Sequence, residues 1–296
     1  MHWPAIRFER DGHLDLVDAF LIHFFLNRSH QETREAAMAA LNLTRDFIGL
    51  QTLTLYVDRH GHTATHPDKA LRRLIRSSRT TDGIHLLSDD TRLDNYEVYY
   101  YGQPLPDAIR PDFRNDFHVW LPSEFVARVG ADAVADFAHA LANLLPCSFA
   151  YATPALRYTD FEISAVARKR AERYPGFDVM PSGAPEVTIG ERAAGAYWIS
   201  ILGEKLTAAL GGALSLGAAL PPEVIVKGLT QGKTYVRLGH EPDVGDRNRG
   251  SDLPLLRAFA RLIEPQLYEP EMIYLMDETG EPDPEAVMRW HRRFLD

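Results

Sequence analysis

A chain of 296 residues with a single cysteine, Cys147, cannot hold an intramolecular disulfide. Its fold therefore does not depend on an oxidising compartment. Cys147 lies in the run Leu144-Leu145-Pro146-Cys147-Ser148-Phe149. A reactive thiolate wants an electropositive, partly open setting, and an apolar run marks a core cysteine instead. Long apolar runs are missing too. A membrane helix needs about 20 such residues, and the best stretch, Ala208 to Leu220, is short and broken by Gly211, Gly212 and Gly217. The segment from Met1 to Asp11 is charged and has no apolar core of the secretory kind, so a cytoplasmic location is expected and no membrane partner. An excess of bases is also lacking: 41 acidic against 32 basic residues leave a formal net charge of −9. Nucleic-acid-binding domains usually carry a basic face, so DNA or RNA is not expected as a direct ligand. A negative field repels phosphate backbones and speeds the capture of basic proteins.

Signatures of catalysis are absent as well. There is no Gly-x-Ser-x-Gly elbow, no His-Glu-x-x-His, no Cys-x-x-Cys and no kinase pattern, and the glycine-rich stretch from Gly211 to Gly217 lacks the Gly-Lys-Ser/Thr that a phosphate loop needs. The glycines of Gly211-Gly212-Ala213-Leu214-Ser215-Leu216-Gly217 suit a turn or close packing rather than a phosphate. The dense histidine cluster, His60, His62 and His66, has only Asp58 and Asp68 as nearby carboxylates and falls in a turn after a strand, so it reads as a solvated loop. No catalytic residue, metal or cofactor is expected. A hydrolase-type enzyme with a site invisible to motifs, or a structural adaptor, stands as the alternative to a binding protein.

Hydrophobic residues make up 45% of the chain and charged residues 25%, which predicts a folded chain throughout. Leu16 to Leu26 is an apolar strand. His30 to Ile48 is a helix with Ser29 as N-cap, Glu32 completing a capping box and Gly49 ending it. Strands are expected at Leu53–Asp58, Asn95–Tyr101, Phe117–Leu121, Ser148–Tyr151 (with Pro154 after it), Gly195–Leu202, Val224–Leu229 and Thr234–Leu238. The last two flank a Gln231-Gly232-Lys233 hairpin turn. Helices are expected at Pro67–Arg76, Asp132–Leu145, Glu204–Leu210, Leu253–Ile263 and Pro282–Leu295. The pattern predicts an α+β fold with a mixed or antiparallel sheet and helices on one face. Phe117-His118-Val119-Trp120-Leu121 and Ala196-Tyr197-Trp198-Ile199-Ser200 are both aromatic strands followed by helix and strand. They suggest two related halves, 1–158 and 159–296, within one compact unit.

Acidic groups offer the candidate contact surface. Asp89, Asp90, Asp94 and Glu97 cluster into the Asn95–Tyr101 strand, where alternation puts Tyr99 and Tyr101 on one face. Tyrosines beside carboxylates make good protein-binding anchors, since they bury area at little entropic cost. The bland reading is a half-buried edge strand with a solvated acidic loop. A second acidic stretch, from Glu264 through Glu269, Glu271, Asp277, Glu278, Glu281 and Asp283 to Glu285, reads as a solvated connection.

Three passages carry a family resemblance: Arg173-Tyr174-Pro175-Gly176-Phe177-Asp178-Val179, Tyr197-Trp198-Ile199-Ser200-Ile201-Leu202-Gly203, and Gly239-His240-Glu241-Pro242-Asp243-Val244-Gly245-Asp246-Arg247-Asn248. Their order resembles the TsiV family of type VI secretion immunity proteins for VRR-NUC effectors. The resemblance implies a cognate effector, a nuclease of the PD-(D/E)xK type, which such a protein binds and blocks. Asp243 and Asp246 join the candidate contact residues, although a turn with Gly245 at positive φ and aspartates bonding nearby amides is the structural alternative. A homodimer is left open.

Overall fold

The computed structural model describes residues 3–58, 60–159, 164–181, 188–270 and 281–295. Its centre is β2 (His13–Leu26), whose apolar residues occupy both faces, as a strand covered on both sides requires. Phe20, Ile22, Phe24 and Leu26 enter one core, and Ala19, Leu21 and Phe25 enter another. Before it runs the short β1 (Arg7–Arg10), and after it α1 (His30–Ile48), where Ser29 and Glu32 form the expected capping box. There follow β3 (Leu55–Val57), β4 (Thr63–Thr65), α2 (Pro67–Arg76), β5 (Asp82–Leu87), β6 (Glu97–Gly102) and β7 (Asn115–Pro122). Then come α3 (Ser123–Val129), α4 (Ala131–Leu144), β8 (Cys147–Tyr158), α5 (Ser164–Arg173), β9 (Asp178–Pro181) and β10 (Ile199–Leu202). The chain continues with α6 (Glu204–Ala209), α7 (Gly212–Ala219), β11 (Val224–Gly228), β12 (Thr234–Leu238), α8 (Pro254–Ile263) and α9 (Pro284–His291).

All these strands share one sheet in the order β11-β12-β10-β8-β2-β7-β6-β5-β3-β4, with β1 on β2 and β9 on β8. Pairing is antiparallel except between β8 and β9. The α+β class and the mixed, largely antiparallel sheet are those expected. Both sequence halves contribute to the sheet, and β8, which ends the first, pairs directly with β10 of the second.

The helices depart from the one-face expectation. α1 to α4 cover the core that holds Phe20 and Phe24, whereas α6, α7 and α8 cover the opposite one. Handedness explains the split. β7 and β8 are parallel, lie either side of β2 and are joined through α3 and α4; β10 and β11 are parallel, lie either side of β12 and are joined through α6 and α7. Both connections move along the sheet in the same direction, but β7 and β10 point opposite ways. Such crossovers are almost always right-handed, and two of them with reversed strands share one hand only when their helices lie on opposite faces.

Two further differences have local causes. β5 was not foreseen, because Asp82-Gly83-Ile84-His85-Leu86-Leu87 holds a glycine and two polar residues. β8 runs on through Pro154, where the sequence suggests a stop. Along one edge β10 pairs with Phe149 to Ala152 and β9 with Ala155 to Tyr158. Pro154 falls between the two, where its missing N–H breaks neither ladder. Cys147 is buried, as expected. No helix among the described residues is long and apolar enough to cross a membrane.

Candidate functional site

Strand register lays one row of rings across five strands. His85, Tyr99, His118, His23 and Tyr151 are successive partners on β5, β6, β7, β2 and β8. Ring centroids along the row are 5.0 to 5.6 Å apart, and Tyr151 stacks on Tyr197 at 3.9 Å. Period-two alternation puts Asp116 beside His118 on the same face, and cross-strand diagonals bring in Glu97.

His118 sits between two carboxylates. Its Nδ1 is 3.1 Å from Asp116 Oδ2 and its Nε2 is 3.5 Å from Glu97 Oε1. His23 Nε2 lies 3.0 Å from Asp116 Oδ1, and His85 Nε2 lies 3.1 Å from Glu97 Oε1. Arg157 reaches from β8 to pair with Glu97 and also donates to Asn95 Oδ1 at 2.8 Å and the Leu93 carbonyl at 3.1 Å. Glu97 and Arg157 are each 3% exposed and His23 is 0% exposed. Burial alone would raise Glu97; the Arg157 guanidinium, helped by His118 and His85, outweighs it and holds the carboxyl well below the usual range. Asp116 is held low in the same way, against burial, by His118 and His23. Burial opposes protonation of His118, but Asp116 and Glu97 raise the ring to about 9. Tyr99 is pushed up to about 12 by burial and then by the Asp116 charge. The cluster is thus a buried, largely neutralised network, and His23, Asp116 and His118 bring one donor atom each within 4.8 Å of one another, close enough to hold a metal ion.

Of the expected contact residues, Glu97 and Tyr99 belong to this network, and Tyr101 pairs across to Asp116 on the same face. Glu97 is turned inward rather than toward a partner. Asp89 accepts from the Thr91 amide and hydroxyl, both at 2.7 Å. Asp94 takes a fork of two 2.8 Å bonds from Arg92 and one of 2.6 Å from Arg7. Asp90 is exposed. Asp243 is exposed and accepts from the Gly245 amide at 2.8 Å, with Gly245 at φ 66°. Asp246 accepts from Asn248 N and pairs with Arg173 at 3.0 Å. The two groups do not form one cluster: β7, β2, β8 and β10 lie between β6 and β12, the strand that precedes the Asp243 loop.

The passages that carry the resemblance meet in space. Gly176 N donates to the Val244 carbonyl at 2.9 Å, Arg173 holds Asp246, and Trp198 Nε1 donates to the Gly239 carbonyl at 3.3 Å. A Cβ on Gly176 would stand 2.3 Å from the Asp243 carbonyl oxygen, so only glycine admits this approach. Gly176, Trp198, Gly239, Glu241, Asp243 and Leu255 line a cavity of about 230 Å³ beside it.

The histidine hairpin is a turn. Asp58 Oδ1 accepts from the amides of His60 and His62, at 2.7 and 3.0 Å, and both imidazoles are exposed. What sequence reading missed is the pair Asp116-x-His118 on β7, whose spacing sets both side chains on one strand face, and His23 alone inside an apolar strand. Glu271, Asp277 and Glu278 of the second acidic stretch lie outside the described residues. The isolated Glu264 pairs with Arg292 at 2.6 Å and Asp283 caps α9.

The family model described as type VI immunity for VRR-NUC, TsiV, matches residues 28–294. No curated protein matches the chain. Among solved structures, the Pseudomonas aeruginosa T6SS protein PA0821 is similar with a TM-score of 0.81 at 15% identity, over 99% of this chain and 88% of that one.

Proposed function

Because the chain belongs to the TsiV family of type VI immunity proteins, we propose that it binds a cognate VRR-NUC effector and neutralises it by covering the nuclease's DNA-binding and active-site cleft. The family match over residues 28–294 is the observation that carries this reading. The net charge of −9 supports it. A DNA-cutting cleft is basic and binds metal, and an anionic surface is drawn to it and excludes its substrate. The task is steric and electrostatic, so it asks for a rigid patch and no bond chemistry.

The contact set is Asp90 and Asp243, with Asp89, Asp94, Tyr99, Tyr101 and Asp246 half-buried behind them. Glu97 acts from inside by holding Arg157 and the Tyr99 strand. A standard interface covers about 800 Å² on each partner, wide enough to span both groups.

The test uses the purified chain and the purified nuclease domain of a candidate VRR-NUC effector. A one-to-one complex on size exclusion and loss of plasmid cleavage at equimolar chain are the expected results. Charge reversal in an Asp90→Lys, Asp243→Lys variant should slow association about tenfold at low salt, with little difference at high salt. Cleavage that persists in several-fold molar excess of the chain would overturn the reading.

A further inference from the structure

We propose that His23, Asp116 and His118 form a binding site for one divalent transition-metal ion of the zinc class, pinning β2 to β7 at the middle of the sheet. The inference does not depend on the immunity reading, since a fold-stabilising ion would serve any function built on this sheet.

Geometry carries it. Three donors of mixed type, two imidazoles and a carboxylate, are the set and number that zinc takes from protein when a fourth position is left to another ligand. Tetrahedral coordination at 2.0–2.2 Å puts donors about 3.3 Å apart. His23 Nε2 is 3.0 Å and His118 Nδ1 is 3.2 Å from the same carboxylate oxygen, Asp116 Oδ1. The outer contact of His118 also has the usual form. A ligating histidine generally gives its other ring N–H to a carboxylate, which fixes its orientation. Here the Nε2 of His118 faces Glu97, which Arg157 holds in place.

A second observation concerns the imidazole of His23. His23 is fully buried, and neither of its ring nitrogens makes a hydrogen bond, even though Nε2 stands 3.0 Å from a carboxylate oxygen. The contact is at bonding distance without the alignment an N–H donor needs. An unpaired buried imidazole nitrogen is costly, and a lone pair shared with the carboxylate around a cation satisfies it. Soft sulfur ligands are absent from the site. The nitrogen–oxygen set suits zinc, cobalt or nickel ahead of copper(I).

The experiment treats the full chain with chelator, exchanges it into metal-free buffer, and adds Zn²⁺ or Co²⁺ alone. The expected result is one Zn²⁺ retained per chain after gel filtration, a raised Tm, and visible Co²⁺ bands of the tetrahedral kind. His23→Gln and Asp116→Asn should each weaken binding about 100-fold or more, while a His60→Ala, His62→Ala, His66→Ala variant binds as the parent does. Failure of the parent chain to retain metal or to give those Co²⁺ bands overturns the proposal, even if the substituted chains do not fold. Loss of binding in the hairpin variant overturns it as well, by assigning the ion to the exposed loop.

Discussion

Glu97 and Arg157 show how much one buried pair decides. Each is removed from water, and each has the other as its principal counter-charge. Replacing one leaves the partner charged and buried, at a cost of about 3–5 kcal/mol, whereas replacing both with apolar residues of similar volume is closer to neutral. Urea titration of Glu97→Gln, Arg157→Met and the double variant should show the double variant more stable than either single one. Equal or additive losses would contradict this. Two histidines elsewhere add to the acid sensitivity. Burial, and then the Arg293 charge, lower His291 to about 4, and burial lowers His30 against the pull of Asp82. The unfolded chain takes up these protons near 6.5, before the folded chain does. Whereas the contribution of His118 is full below pH 6.5 and is lost as pH rises toward about 9, that of these two histidines is therefore full above pH 6.5 and falls as pH drops from there toward about 4. His291→Gln should flatten the fall of Tm over this window; an unchanged slope would show that other groups govern it.

At the scale of elements, the interlock of the turn before β9 with the loop after β12 is a tight joint. Gly176→Ala forces a Cβ against the backbone of Asp243 and Val244. Overpacking of this kind costs about 1–3 kcal/mol, and thermal melts should show it, while Gly228→Ala, with open space at its Cβ, should change little. The α1 cap offers a milder comparison. Ser29→Ala removes the hydroxyl half of a complete capping box and should cost about 0.5–2 kcal/mol. These elements were also the ones most legible beforehand. The α1, α2 and β12 bounds follow from a cap, from a proline at N1 and from the turn at Gln231 and Gly232, where both φ angles are positive. β5 and the continuation of β8 were not legible, because each depends on which neighbour pairs with it.

For the whole molecule, the sheet crosses the proposed division at residues 158 and 159. A chain ending at residue 158 would leave β8 without β10 and β9, and would bare the face that α6 to α8 cover. Such a fragment is expected to expose apolar surface and aggregate. The intact chain is expected to unfold in one transition by both circular dichroism and fluorescence. A soluble, cooperatively folding fragment would instead show that the halves are separable.

The amino-acid order alone determined what is local or additive. Caps and turns depend on residues within one turn of each other, charge is a sum, and the order of the three motif passages carries the family. Tertiary structure decided which side chains share a space. Asp116 and His118 are two residues apart, but His23, Glu97 and Arg157 join them only because β2, β7, β6 and β8 are neighbours in one sheet. Strand order and register are collective outcomes of burying two apolar faces at once, and a one-residue slip of any of these strands would carry its own groups to the other face.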